Sequence, residues 1–446
     1  MSVEQLVESI SDVILFISCL YILLGSILIT FKTRFVQLRL FPTLCRTLFA
    51  SLKKSSGEAG HDTLLPHDAL FMAMSTTLGL GTIVAPVIAI YLGGPGALLG
   101  FLLTAFFGSA ATYTEVTLCI EHREQHATGG IMGGPMQYLK QLLSPGAAKW
   151  YAGCCLFLMM AWSGAQANQL AAVLDSPFLE GYRIPVFVSG VAIALFVLVT
   201  LSGGIKRVGA FSAKLVPVMF VLYLGSSLLI LAFNVEKLGD VFMQILSSAF
   251  SPYAMASGTL VGGIVSALRW GIFKGTQATE AGIGTQTIPH SMSATNDSAV
   301  QGMLAMLSTY TAGGLAFLSG CVALVTETWL DPTMPLGMSM VVASYERYFS
   351  FFGIVIVAVC ALLFATGTIL GNAYNGGQCF NYLIKGEKER WYYFFATAIV
   401  IVLSAVAEAK LVWSLSDLVL ASIALPHMTA LLLHAYKKPV LSTSLP

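Results

Sequence analysis

Of the 446 residues, 23 are Lys or Arg and 22 are Asp or Glu, so charged side chains make up 10% of the chain while hydrophobic ones make up 56%. A soluble globular protein carries about 25% charged residues, and a surface this poor in charge cannot cover so much apolar material in water. The composition argues against a soluble enzyme, a disordered scaffold and a nucleic-acid binder.

Along the chain, MSVEQLVESISD is acidic and polar, the wrong flank for a cleaved signal. The first apolar stretch is therefore expected to stay in the mature protein. A helical membrane span needs about 17–25 mostly apolar residues, and eleven segments qualify: 12–30, 66–92, 95–120, 150–174, 184–202, 210–233, 256–284, 298–326, 351–383, 391–407 and 411–435. They are long unbroken runs rather than short alternating strands, and in lipid every backbone group must be paired internally, so they read as helices. Residues 335–350 read as a loop or a re-entrant piece.

Charge sets the direction. With the N-terminus outside and eleven spans alternating, 19 of the 23 basic residues fall on the inner side, and only Arg183, Lys237, Arg347 and Lys410 are left outside. That is a strong positive-inside bias. It predicts a multi-pass protein of the cell (inner) membrane with a cytoplasmic C-terminus.

Two apolar segments carry runs that a plain lipid-facing helix avoids. The second holds Ser75-Thr76-Thr77-Leu78-Gly79-Leu80-Gly81-Thr82 followed by Pro86, and the seventh ends in Lys274-Gly275-Thr276-Gln277-Ala278-Thr279-Glu280-Ala281-Gly282-Ile283-Gly284-Thr285. Each glycine costs about 1 kcal/mol of helix propensity relative to alanine, and the proline removes a donor. Unwound backbone at membrane depth persists where it lines a cavity or is buried in protein, and its freed carbonyls and half-helix N-terminus can hold a cation and a carboxylate. Close helix packing is the competing explanation of the small residues. Four spans follow each interrupted one, giving two sets of five with opposite directions, the plan of many secondary transporters. The expected units are a first helix and basic loop at 1–65, five-helix sets at 66–235 and 236–436, and a cytoplasmic tail at 437–446.

Other chemistry is sparse. The eight cysteines form no CxxC pair, and most sit in apolar segments, as packing residues do. There is no HExxH, GxSxG or Walker A motif, and Gly79-Leu80-Gly81 lies inside a span rather than after a strand, so no enzyme and no bound cofactor are expected. Gln166 and Asn168 suit either an interhelical bond or a ligand contact. Glu115 and Glu280 suit either pairing with a buried donor or proton coupling, with Glu280, at a helix break, the better placed for coupling.

These residues resemble the sodium:alanine (alanine or glycine:cation) symporter family. The matching pieces, in order from about residue 70 to 427, include Gly79-Leu80-Gly81-Thr82-Ile83, Leu92-Gly93-Gly94-Pro95-Gly96-Ala97, Glu115, Gly133-Gly134-Pro135-Met136 and Gln166 with Asn168. They continue with Gly203-Gly204-Ile205-Lys206-Arg207, Val216-Pro217, Glu280-Ala281-Gly282-Ile283-Gly284, Thr368-Ile369-Leu370-Gly371 and Trp413-Ser414-Leu415-Ser416-Asp417. The resemblance implies an all-α polytopic protein with the inverted five-helix repeat of the bacterial leucine transporter. Its activity would be cation-coupled uptake, with sodium as the coupling ion, of a small neutral amino acid such as alanine or glycine.

By that analogy the substrate site comprises Thr77, Gly79, Gly81, Thr82 and Gln166, closed from the other repeat by Gly275, Thr276 and Thr279. Ser75, Leu78, Ala365 and Thr368 would hold the sodium ion, an oxygen-only set suited to a hard cation. The chain departs from the family pattern at Thr82, at Ala278-Thr279, at Gly367 where a serine is usual, at Asn372 where an aromatic is usual, and at Gly377 where an acid is usual. The partners implied are a small neutral amino acid, sodium and the lipid bilayer, with no nucleic acid. Proton coupling, exchange and a non-transporting receptor stay open as alternatives.

Overall fold

A computed structural model of the chain describes residues 3–53, 63–125, 131–175, 181, 183–250, 264–331, 333–386, 388–407 and 409–437. The start of the expected seventh span, Lys54, Lys438 and the expected tail beyond it lie outside the described residues. Helices dominate: α1 Val3–Lys32, α2 Val36–Arg39, α3 Phe41–Leu52, α4 Pro66–Thr77, α5 Leu80–Gly93, α6 Ala97–His122, α7 Pro135–Leu142, α8 Pro145–Leu174 and α9 Val186–Leu201. The chain continues with α10 Gly204–Phe233, α11 Leu238–Phe250, α12 Ile264–Thr279, α13 Thr287–Ser291, α14 Ser298–Thr326, α15 Met338–Phe349, α16 Phe351–Ile384, α17 Arg390–Val406 and α18 Ala409–Lys437. The one sheet among the described residues is a short antiparallel pair, Glu124–Gln125 with Ile131–Met132.

Among the described residues, seven helical stretches are long and apolar enough to cross a membrane, and Val186–Leu201 and Arg390–Val406 are shorter apolar helices. Phe157, Val221 and Phe352 are exposed on the long helices α8, α10 and α16, and Leu403 on the shorter α17. Apolar side chains facing outward in this number suit a lipid solvent, because every helix has already paired its own backbone. Residues 335–350 are neither plain loop nor span: Met338–Phe349 is the short helix α15, burying Met340 and Tyr345.

Local sequence explains the helix ends that matter. Leu65 is extended before Pro66, which opens α4 at its first turn where no amide partner is needed. Asp297 caps α14 by accepting from the N–H groups of Ala299 and Val300, both at 3.0 Å. Small residues let helices touch backbone to backbone. A side-chain carbon on Gly100 of α6 would lie 2.6 Å from Gly271 Cα of α12, so neither helix tolerates a larger residue at the crossing.

The chain entering α4 and the chain leaving α13 are clipped together. Leu64 N–H donates to Met292 O and Ala294 N–H donates to Leu64 O, each at 2.8 Å. Arg123 locks the same turn, its guanidinium donating to the carbonyls of Ser291, Ser293 and Thr295 at 3.0, 2.5 and 2.7 Å.

Candidate functional site

The helical run that begins at Pro66 breaks where the glycines predict. Leu78 leaves the helical region at φ −85°, ψ 67°, and Gly79 is extended at φ −99°, ψ −175°, before α5 restarts at Leu80. The break frees backbone groups in the protein interior. Gln166 of α8 answers one of them: Leu80 N–H donates to its side-chain carbonyl at 2.9 Å. Thr82 turns its hydroxyl back onto Thr77 O at 2.9 Å. A side-chain carbon at Gly79 would sit 2.8 Å from Thr368 Oγ1 and 2.9 Å from Gln166 Nε2, so only glycine fits between these two groups.

A cavity of about 460 Å³ opens on this break. Of the residues expected to bind substrate, Thr77, Gly79, Gly81, Thr82 and Gln166 line it, and nothing lies within 4 Å of where a Gly81 side chain would start. Thr368, expected as a cation ligand, also lines it, and its hydroxyl donates to Ser75 O at 2.9 Å. Ser75, Leu78 and Ala365 are buried rather than part of the wall. A side-chain carbon at Gly367 would lie 3.7 Å from Ser75 O, beside the same carbonyl.

The second interrupted helix breaks at Glu280, within the expected run, and not around Gly275, Thr276 and Thr279. α12 stays helical through Thr279, and the break comes after it, with Glu280, Gly282 and Gly284 all at positive φ. Glu280 at φ 51° is a non-glycine residue in the left-handed region, which stores strain on the order of 1–3 kcal/mol. Gly275, Thr276 and Thr279 do not line the cavity. Gly275 packs on Phe101 and Thr104 of α6, and Thr279 bonds back to Gly275 O at 2.9 Å. Their helix neighbours Lys274, Gln277 and Ala278 face the cavity instead, with Glu280. Lys274 donates to Gln277 Oε1 at 3.0 Å, and Gln277 donates in turn to Asp417 of α18.

Asn168 is structural: its amide donates to the carbonyls of Ser404 and Ala407 at the end of α17, at 2.8 and 2.9 Å. Glu115 is fully buried away from the cavity, 3.9 Å from His427 Nε2. His427 Nδ1 lies 2.8 Å from Gly282 O, which can only accept, so Nδ1 carries the proton and Nε2 accepts from the Tyr138 hydroxyl at 2.5 Å. Glu280 accepts from Thr285 Oγ1 at 2.5 Å. Sequence reasoning missed Trp162, Phe273, Gln277 and Asp417 in the wall. Helical periodicity from Lys274 would have offered Gln277 and Ala278 as the alternative face of α12.

The family model for sodium:alanine symporters matches residues 1–441. The chain belongs to that family. It is similar to an uncharacterized transporter of Haemophilus influenzae, 31% identical over 438 residues covering 97% of this chain and 94% of the relative. It is equally similar to the sodium/alanine symporter AgcS of Methanococcus maripaludis, 31% identical over 428 residues covering 93% and 91%. Among solved structures, a Na+-coupled sialic acid symporter in a substrate-bound outward-open state shares the fold, with a TM-score of 0.52 at 14% identity over 92% of this chain and 81% of that one. Members of the sodium:alanine symporter family are membrane transporters rather than enzymes, and their activity is cation-coupled symport of amino acids.

Proposed function

We propose that this chain imports a small neutral amino acid, of the alanine or glycine class, with sodium by alternating access. The break between α4 and α5, roofed by Gln166 and Thr368 over one cavity, is the observation that carries the reading. The substrate carboxylate meets the free amide end of α5 near Gly79 and Gly81, where the helix dipole favours an anion. Thr77, Thr82 and Gln166 complete that pocket. Sodium sits between the broken helix and α16, held by the carbonyls of Ser75, Leu78 and Ala365 and by the Thr368 hydroxyl, which now spends its proton on Ser75 O.

In this reading eleven spans form a leading helix and two inverted sets of five, 66–235 and 236–436, with the N-terminus outside and the C-terminus cytoplasmic in the cell membrane. What supports the pairing is that the first span of each set is interrupted and that a short helix, α7 or α15, directly precedes its third span. Proton coupling through Glu280 is the second reading, favoured by the placement of that buried carboxyl in the cavity wall.

Ligand-dependent melting of the purified protein separates the two, since a ligand stabilises the state that binds it. Alanine or glycine raising the melting temperature in sodium but not in potassium supports sodium coupling. A rise that ignores the cation but changes with pH, and is lost in Glu280→Gln, supports proton coupling.

A further inference from the structure

Asn372 is the buried polar side chain of the cavity wall whose amide atoms are both unpartnered among the described residues. It lies one helical turn beyond Thr368 on the same face of α16, it is fully buried, and it lines the cavity. Neither its Nδ2 nor its Oδ1 has a hydrogen-bond partner among the described residues. Its neighbours in the wall are otherwise occupied: Thr368 is bonded to Ser75 O, Gln166 to Leu80 N–H, and Lys274, Gln277 and Asp417 form one network. Buried amides are ordinarily satisfied, and a specific exception calls for an explanation.

We propose that Asn372 reads the side chain of the transported amino acid, and that the site prefers a side chain that both donates and accepts a hydrogen bond, a carboxamide above all. This rests on the amino-acid symport reading above but moves the preferred substrate from the alanine or glycine class to an amino acid with a carboxamide side chain. The chemistry selects the partner. An asparagine amide offers one carbonyl acceptor and two N–H donors. A methyl group satisfies neither, an ammonium only the carbonyl and a carboxylate only the amide N–H groups, whereas a second carboxamide pairs with both ends reciprocally. The cavity whose wall includes Asn372 has a volume of about 460 Å³. Sites built to hydrogen-bond a substrate reject analogues that leave their buried polar groups unpaired.

The test is uptake of labelled glutamine, asparagine and alanine, each measured separately, by the full chain in liposomes under an inward sodium gradient. The wild type is expected to favour one of the two carboxamides over alanine at least tenfold in kcat/KM, and Asn372→Leu to reduce that ratio at least tenfold. A wild type that takes up alanine as well as or better than both carboxamides overturns this inference and leaves the symport reading standing, as does a ratio unchanged in Asn372→Leu. If Asn372→Leu fails to reach the membrane, the wild-type ratio and Asn372→Ser, which replaces the carboxamide by a shorter hydroxyl and is expected to lower that ratio, decide the question. Uptake of none of the three overturns the symport reading and this inference together.

Discussion

Gln166 and Leu80, 86 residues apart in sequence, are joined by a 2.9 Å hydrogen bond from the Leu80 amide to the Gln166 side-chain carbonyl. That bond holds the first free amide of a restarted helix against a fixed partner on α8. It keeps the break open as an ordered site rather than a frayed end.

Gln166→Ala removes the acceptor and leaves the Leu80 amide unpaired in the protein interior. An unsatisfied buried group costs about 1–3 kcal/mol, or roughly 5- to 150-fold. Uptake rate per inserted protein is expected to fall within that range while membrane insertion, read by detergent-solubilised yield, is unchanged. Normal uptake would place the pocket elsewhere.

Thr368 ties α16 to the broken helix through Ser75 O. Thr368→Ala is expected to raise the sodium concentration for half-maximal uptake about tenfold, on the scale of a hydrogen bond or ligand worth roughly 1.4 kcal/mol. Thr368→Ser, which keeps the hydroxyl, should titrate with sodium like the wild type. A sodium titration of all three proteins checks both statements.

Gly367 leaves space beside the same carbonyl. A side-chain carbon there meets the end of Leu215 at 3.0 Å, a movable contact, and Ser75 Cβ at 3.5 Å. Gly367→Ser adds a second hydroxyl next to Thr368, so half-maximal uptake should be reached at lower sodium. An unchanged sodium titration would mean that the cation does not lie at this crossing.

Gly100 faces backbone. A side-chain carbon there lies 2.6 Å from Gly271 Cα and 2.7 Å from Ile272 N, atoms that cannot rotate away. Gly100→Ala is expected to cost about 1–3 kcal/mol through overpacking and to lower the melting temperature in detergent by several degrees. Gly225→Ala, at an exposed position of α10 with nothing within 4 Å, serves as the control and should not lower it, since alanine is the better helix former.

Much of this was legible in the sequence because apolar run length and glycine placement act locally. Gly79 and Gly81 mark the α4–α5 break, Pro86 lies inside the continuous helix α5, and Thr77, Thr82 and Gln166 line the cavity at the break. The second break falls at Glu280, inside the expected run 274–285, but not at Gly275, Thr276 and Thr279. Gly275 lies in the run for close passage against Phe101 and Thr104, whereas the backbone leaves the helix at Glu280, Gly282 and Gly284, where positive φ occurs. A small residue for packing and a small residue for unwinding look alike in one dimension. Gln277 and Asp417 were out of reach for another reason: their bond spans 140 residues, and only the packed helices bring them to one wall. Asn372 appeared in the sequence only as a departure from a family pattern. Its meaning comes from burial without partners, which a sequence does not display.

The central claim is sodium-driven amino-acid transport through the cavity at the α4–α5 break. Its most direct test is uptake of labelled alanine and glycine by the purified protein in liposomes, with an inward sodium gradient against a matched potassium control. Accumulation above equilibrium in sodium, absent in potassium and reduced in Gln166→Ala, is the predicted result. Uptake equal in both cations, or accumulation in sodium that Gln166→Ala leaves intact, would contradict the account.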